Sequence, residues 1–358
     1  MRNRSTIIGG TTWAAIGLVA AISWAYAAQA QTSADAKAMA DKPADDPAVL
    51  MAPPGGKAVK SRGKSDKPGM EAFLLPVNYR NLDGSFNQEA LVAQQKKRME
   101  VVNDRLRVKL RLSETPHYLI FSDGDTGLTS QFARWSEALY GNLCRTFTID
   151  PKERVWDGKC VLILFASRTR FEEFGKTFDD NNVKDAGAYF AWETYSSHDP
   201  QCVHICIPLD ERSPRRLQEL FAHEGTHAFF QLFRKAVDLP LWLHEGLAEY
   251  MTVVNDPSLA PMKSADARRI ARASKPLGKF FDCCSGDDFK IDDYSVAYTM
   301  VDCLQQIGGA KFKQFVCLVK EGKPQNEAMQ TVYGFDFNGL QTRWRAFLLA
   351  DSAPVRRR

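Results

Sequence analysis

The chain has 358 residues, 44% of them hydrophobic, and 47 Lys and Arg stand against 43 Asp and Glu for a formal net charge of +4. A chain of this length can bury a sizeable core, and its near-neutral balance gives no electrostatic ground for a nucleic-acid partner.

Residues 1–30 read as an export signal: Arg2 and Arg4 precede an apolar run from Ile7 to Tyr26, and Ala28-Gln29-Ala30 supplies small residues for cleavage before Gln31. The apolar run approaches the roughly 20 residues that span a bilayer, so an uncleaved N-terminal anchor is the alternative. Either way the remainder is expected to be exported, secreted or periplasmic, with no later membrane-crossing segment. Loss of the signal lowers the charge to about +2. The basic end, Arg356-Arg357-Arg358, reads as a solvated tail. Eight cysteines, all beyond the signal, fit an oxidising compartment and predict disulfides. Cys202 and Cys206 lie on one apparent strand, where four residues span about 13 Å, so each needs another partner. Cys283 and Cys284 are adjacent, would be strained as a mutual pair, and are expected to bond elsewhere or remain thiols.

Residues 31–70 are rich in Ala, Pro, Gly, Asp and Lys with few large apolar side chains, and read as a flexible linker. Residues 71–212 alternate strand and helix patterns: strand 117–121, helix 128–147, strand 161–165, helix 168–178, then apolar runs at 186–192 and 202–208 that complete a small sheet. After Ser213-Pro214, an N-cap followed by a proline suited to a first turn, residues 213–358 read as helical, with segments at 214–234, 239–254, 264–274, 292–307, 310–320 and 338–350. The expected fold class is therefore α+β, a small α/β N-terminal subdomain followed by a mostly helical subdomain.

The helix that begins at Pro214 carries His223-Glu224-Gly225-Thr226-His227, an H-E-x-x-H pattern. Histidines four apart project from one helical face, so both imidazoles can reach one metal ion, and Glu224 stands where it can take a proton from a metal-activated water. The apolar neighbours Leu220, Phe221, Ala222, Ala228, Phe229 and Phe230 make the surroundings a core, where histidines need partners. A catalytic zinc site needs a third protein ligand and an open position. Glu245 is the candidate. The first helix runs on about 9 Å beyond His227, and a second one started by Asp238 and Pro240 comes back about as far by Glu245.

The pattern H-E-x-x-H, a gap of seventeen residues and a Glu in Trp242-Leu243-His244-Glu245-Gly246 resembles the gluzincins related to aminopeptidase N and leukotriene A4 hydrolase, and above all their bacterial peptidase-MA-like relatives. The gap is one residue shorter than in the aminopeptidases. The resemblance is specific over residues 215–255. It implies one Zn2+ per chain held by His223, His227 and Glu245, with Glu224 as the general base, and a peptide or protein as substrate. A weaker likeness extends to Asp293-Tyr294-Ser295-Val296-Ala297-Tyr298 and the helix ending at Gly308-Gly309. It implies an oxyanion-binding tyrosine, Tyr294 by its distance from the Gly-Gly pair or Tyr298 one turn later. The G-x-M-E-N segment with which aminopeptidases bind a free amino terminus is missing, which puts exopeptidase activity in doubt.

Other residues invite alternatives. Glu249 shares a helical face with Glu245 and could replace it as ligand, hold a ligating histidine from behind, or lie at the surface. His244 points about 100° away from Glu245. Cys202, His204 and Cys206 alternate on one strand face, and disulfide-bonded cysteines flanking an ordinary histidine are the expectation over a metal site. The strand at 187–192 could be core or an edge along which an extended substrate lies. The expected function is an exported zinc-dependent metallohydrolase, a peptidase, and the alternative is a non-catalytic zinc-containing binding or envelope-associated module.

Overall fold

The computed structural model of the protein describes residues 57–59, 76 and 78–350, apart from 153, 194–198, 211–212, 235–236 and 284–288. The expected export signal, the expected linker except residues 57–59, Cys284 and the terminal arginines lie outside the described residues.

The fold is α+β. Among the described residues six strands form one sheet, β1 (Lys57–Val59), β2 (Arg111–Glu114), β3 (Tyr118–Ser122), β4 (Cys160–Phe165), β5 (Tyr189–Glu193) and β6 (Cys202–Pro208), in the order β1-β5-β6-β4-β3-β2. The centre, β3, β4 and β6, is parallel. β2 and β5 run antiparallel to their inner neighbours, and β1 pairs parallel with β5. Helices α1 (Gln88–Leu106), α2 (Thr126–Phe147) and α3 (Arg168–Phe178) belong to this part.

The central strands β3, β4 and β6 read as largely apolar runs because helices cover both faces. Along β3, Tyr118 and Ile120 enter one core with Phe132 and Leu139 of α2, while Leu119 and Phe121 enter another with Met99 and Val102 of α1 and Phe171 and Phe174 of α3. The helical part follows as α4 (Pro214–Leu232), α5 (Leu241–Asn255), α6 (Ala260–Lys263), α7 (Ala265–Ala273), α8 (Ile291–Lys320), α9 (Gln325–Tyr333) and α10 (Phe337–Ala350). The core that holds Tyr118 and Ile205 of the sheet continues to Leu340 and Trp344 of α10, so sheet and helices share one apolar interior. Each large side chain buried there contributes about 1.5–3 kcal/mol.

Several expectations are revised. The helices expected at 292–307 and 310–320 are one run, α8, broken only where Gly308 leaves helical geometry (φ 164°, ψ 113°). A strand, β1, lies inside the stretch read as linker. β1 pairs with the outer side of β5 along Ala191, Trp192 and Glu193, so that part of the strand is not the open edge considered for an extended substrate. Among the described residues the seven cysteines form no disulfide with one another, and the expected bridges are not shown. No helix among the described residues is long and apolar enough to cross a membrane.

Candidate metal centre

Helix α4 starts where Ser213 accepts a hydrogen bond from the Arg216 amide at 3.2 Å, with Pro214 in the first turn. It is buried almost all round, from Leu217 to Leu232, because it runs between the sheet and the other helices. Polar side chains inside such a helix must be partnered. Thr226 answers locally, donating to the Ala222 carbonyl at 2.7 Å. His223, Glu224 and His227 do not; the two histidines face α5, and Glu224 meets the main chain of Phe190 on β5.

Helix α5 starts at Leu241, with Pro240 rather than Asp238 at its cap; Asp238 instead accepts from the Gln231 amide group at 2.9 Å. Its placement follows from two residues of the W-L-x-E-G run. Trp242 is fully buried and its indole N–H donates to Gln325 of α9 at 2.8 Å. Gly246 lets α8 approach so closely that an added Cβ would stand 2.6 Å from the Ala297 carbonyl oxygen. Held this way, α5 presents Glu245 to the two histidines.

His223 Nε2 and His227 Nε2 lie 3.0 Å apart, and Glu245 Oε2 is 3.5 Å from the first and 3.4 Å from the second. All three residues are buried, with ligand atoms within 4.8 Å of one another. Burial would raise the Glu245 carboxyl, but the imidazoles of His227 and His223 outweigh it and bring it to about 2. Burial would lower His223, but Glu245 and Glu249 hold it up to about 10. Two anionic carboxylates therefore call for positive charge at this point.

The donor set fits a zinc ion. Ligands about 2.0–2.2 Å from one tetrahedral ion are spaced by roughly 3.3–3.6 Å, which the two carboxylate–imidazole distances meet and the 3.0 Å between the imidazole nitrogens falls slightly short of, and this donor set leaves a fourth position open. Within the protein, Glu245 Oε2 and Glu224 Oε2 are buried without a hydrogen-bond partner, a state that buried polar atoms rarely adopt unless something else satisfies them.

Glu224 is 2% exposed and accepts a main-chain hydrogen bond from Phe190 of β5. Burial, countered by His223 and reinforced by the charge of Glu245, lifts its carboxyl to about 7. The Phe190 ring stacks on His227 at 5.5 Å, and the His244 ring lies 4.1 Å from His227 on another side. His244 is not among the converging ligand atoms. Glu249 holds His223 from behind, its Oε1 3.0 Å from Nδ1, while its other oxygen meets Lys263 at 2.5 Å.

Of the two tyrosines on α8, Tyr294 responds more strongly to the charges of the centre, and Tyr298 feels Glu249 alone among them. Burial raises its phenol well above the usual value, and the charges of Glu245, Glu249 and Glu224 add to this, so it keeps its proton as a donor. The Tyr298 phenol responds to burial and then to Asp302 and Tyr250. Two charged residues beside the site escaped the sequence reading, Glu219 and Lys263. Glu219 precedes His223 by one turn on the same face, a signal that was available; Lys263 arrives from a short helix whose approach no local pattern announces.

Asp179, His204 and Cys206 form a second buried group of possible ligands. Its hydrogen bonds are complete without an ion: Tyr189 donates to Asp179 Oδ2 at 2.6 Å, and His204 Nε2 lies 2.9 Å from the same oxygen. Burial draws the His204 pKa down, but Asp179, with Cys206, outweighs it and holds His204 well above the ordinary histidine value. This is an ion pair inside the sheet's outer core, and Cys206 is a thiol within it.

Comparison with known proteins agrees with the resemblance read from the motifs. Residues 205–350, less than half of the chain, match a family model described as the Peptidase MA superfamily. No curated protein matches. Among solved structures, a mutant M1 zinc metallopeptidase from Deinococcus radiodurans is 15% identical with a TM-score of 0.38, covering 68% of this chain and 52% of its own. The M1 zinc metallopeptidase from Deinococcus radiodurans gives 15% and 0.37 over the same shares, 68% and 52%. A mutant two-domain M1 zinc metallopeptidase bound to L-arginine gives 16% and 0.38, over 66% and 51%. The chain spans about half the length of these structures, and scores this low add nothing to the reading of the site.

Proposed function

We propose that this chain, whose residues 205–350 match the Peptidase MA superfamily, is an exported zinc-dependent peptidase. The observation that carries the proposal is the convergence of His223, His227 and Glu245 beside a buried carboxylate, Glu224, that has an oxygen without a partner. A purely structural site has no need of such a carboxylate.

In this reading His223, His227 and Glu245 hold the ion, and Glu249 fixes the His223 ring by its Nδ1. The bound ion would supply Lewis-acid chemistry, polarising the scissile carbonyl and acidifying a water. Glu224 takes the proton of the attacking water and passes it to the leaving nitrogen; a carboxyl near 7 is suited to both halves of that task. Tyr294, a neutral phenol beside the carboxylates, donates to the oxyanion as it develops. Phe190 steadies Glu224 through its main chain and His227 through its ring. Export rests on the residues 1–30 pattern, and a peptide substrate on the family resemblance.

The test is digestion of a broad peptide library by the metal-loaded protein with and without chelator. Cleavage abolished by chelator and restored by zinc supports a peptidase; a protein that binds zinc and cleaves nothing supports a non-catalytic module.

A further inference from the structure

Behind His223 and Glu249 lie two buried charges, Lys263 and Glu219, that the hydrolytic reading leaves unused. Glu249 turns Oε1 to His223 Nδ1 at 3.0 Å and Oε2 to Lys263 Nζ at 2.5 Å. The same ammonium group lies 2.7 Å from Glu219 Oε1, and Glu219 Oε2 lies 3.2 Å from the Arg216 guanidinium. The Lys263 side chain is 4% exposed and those of Glu219 and Glu249 are 6% exposed, so these charges are set against one another with little help from water.

Glu249 stands one turn beyond Glu245 on the same face of α5, which makes it a second carboxylate within reach of the same ion. Both of its oxygens are already committed, one to the imidazole and one to the ammonium. These are the two ends of a single planar group, so a rotation that freed one contact would disturb the other.

We propose that Lys263 is a positioning residue of the metal centre: by holding Oε2 of Glu249 it aims Oε1 at His223 Nδ1 and keeps Glu249 from displacing Glu245 as ligand. His223 then carries its proton on Nδ1 and turns its Nε2 lone pair to the ion, the arrangement that strengthens a ligating imidazole. The inference rests on the reading of His223, His227 and Glu245 as metal ligands. A mere structural clamp would tie α6 to α4 and α5 and would leave the metal-facing nitrogen untouched.

The experiment compares the full-length wild type with Lys263→Met, Lys263→Gln and Glu219→Gln. It measures the zinc dissociation constant by chelator competition, the visible spectrum of the cobalt-loaded protein and the thermal midpoint. Lys263→Met is expected to bind zinc about tenfold more weakly or worse and to show a shifted cobalt spectrum, and Lys263→Gln, which keeps a donor, to fall between it and the wild type. Lys263→Gln carries the comparison by itself should Lys263→Met fail to fold. Glu219→Gln removes the other partner of Lys263 and spares Glu249, so it is expected to lose thermal stability while keeping zinc affinity within about twofold. Wild-type affinity and spectrum in the Lys263 variants overturn the inference, as does a Glu219→Gln loss equal to that of Lys263→Met. Those outcomes leave the metal centre standing, whereas a wild type that takes up no zinc removes the centre itself.

Discussion

Gly246 lies against the main chain of Ala297, where an added Cβ would come within 2.6 Å of the carbonyl oxygen and 2.8 Å of Val301 Cγ2. The contact matters because α5 carries Glu245 and α8 carries Tyr294. Gly246→Ala is expected to push the two helices apart at a cost of about 1–3 kcal/mol, the usual range for overpacking, and to weaken metal binding with it. Denaturant unfolding of the two metal-free proteins measures the first effect. Unchanged stability would mean that backbone carbonyl and helix yield more easily than a packed interior should.

The ligand assignment orders four substitutions. His223→Ala and His227→Ala are expected to lose zinc, and Glu245→Ala to weaken it less completely because two imidazoles remain. Glu249→Ala removes the partner of His223 Nδ1, and one partner of Lys263 with it, and is expected to cost about 10–100-fold in affinity. Metal titration with a competing chelator ranks them. A larger loss in Glu249→Ala than in Glu245→Ala would reverse the roles of the two carboxylates.

The Asp179–His204 pair sets a pH dependence separate from the metal centre. With its pKa held well above 6.5 in the folded protein, His204 keeps a proton that the unfolded chain has already lost above about 6.5. Stability from the pair is thus complete below that pH and falls as pH rises through the folded value, by up to about 1.4 kcal/mol per unit. Replacing Asp179 by Asn leaves the imidazole without its counter-charge and is expected to cost about 3–5 kcal/mol near neutrality. Unfolding midpoints from pH 6 to 10 test the slope; a wild-type curve no steeper on the alkaline side than that of the Asp179→Asn, His204→Asn double variant would contradict it.

Much of the site was legible because helical periodicity is strict. Four-residue spacing put His223 and His227 on one face, and the Asp238-Leu239-Pro240 turn signalled the return that brings Glu245 to them, although Pro240 and not Asp238 sits at the cap. The strands expected at 117–121, 161–165 and 202–208 were equally plain as short apolar runs and lie within one residue of Tyr118–Ser122, Cys160–Phe165 and Cys202–Pro208. What escaped was structure without a strong apolar signal. Helix α1 buries Gln95 and Arg98 beside Leu91, Met99 and Val102, which blurs its apolar face. Strand β2 is largely exposed, and β1 draws on three residues of a stretch whose composition suggests none. Lys263 illustrates the remaining limit: charge pairs made across helices depend on packing, and neither spacing nor composition encodes them.

The most direct test of the central claim is the rate of peptide hydrolysis by zinc-loaded Glu224→Gln, with metal content measured on the same sample. The substitution preserves shape and removes the base. The expected result is one zinc per chain, an unchanged thermal midpoint and a rate reduced by about 10²–10⁴-fold, the range that general acid–base catalysis supplies. A zinc-loaded Glu224→Gln protein that cleaves peptides at the wild-type rate would contradict the assignment of Glu224 as the base, and with it the peptidase mechanism built on this centre.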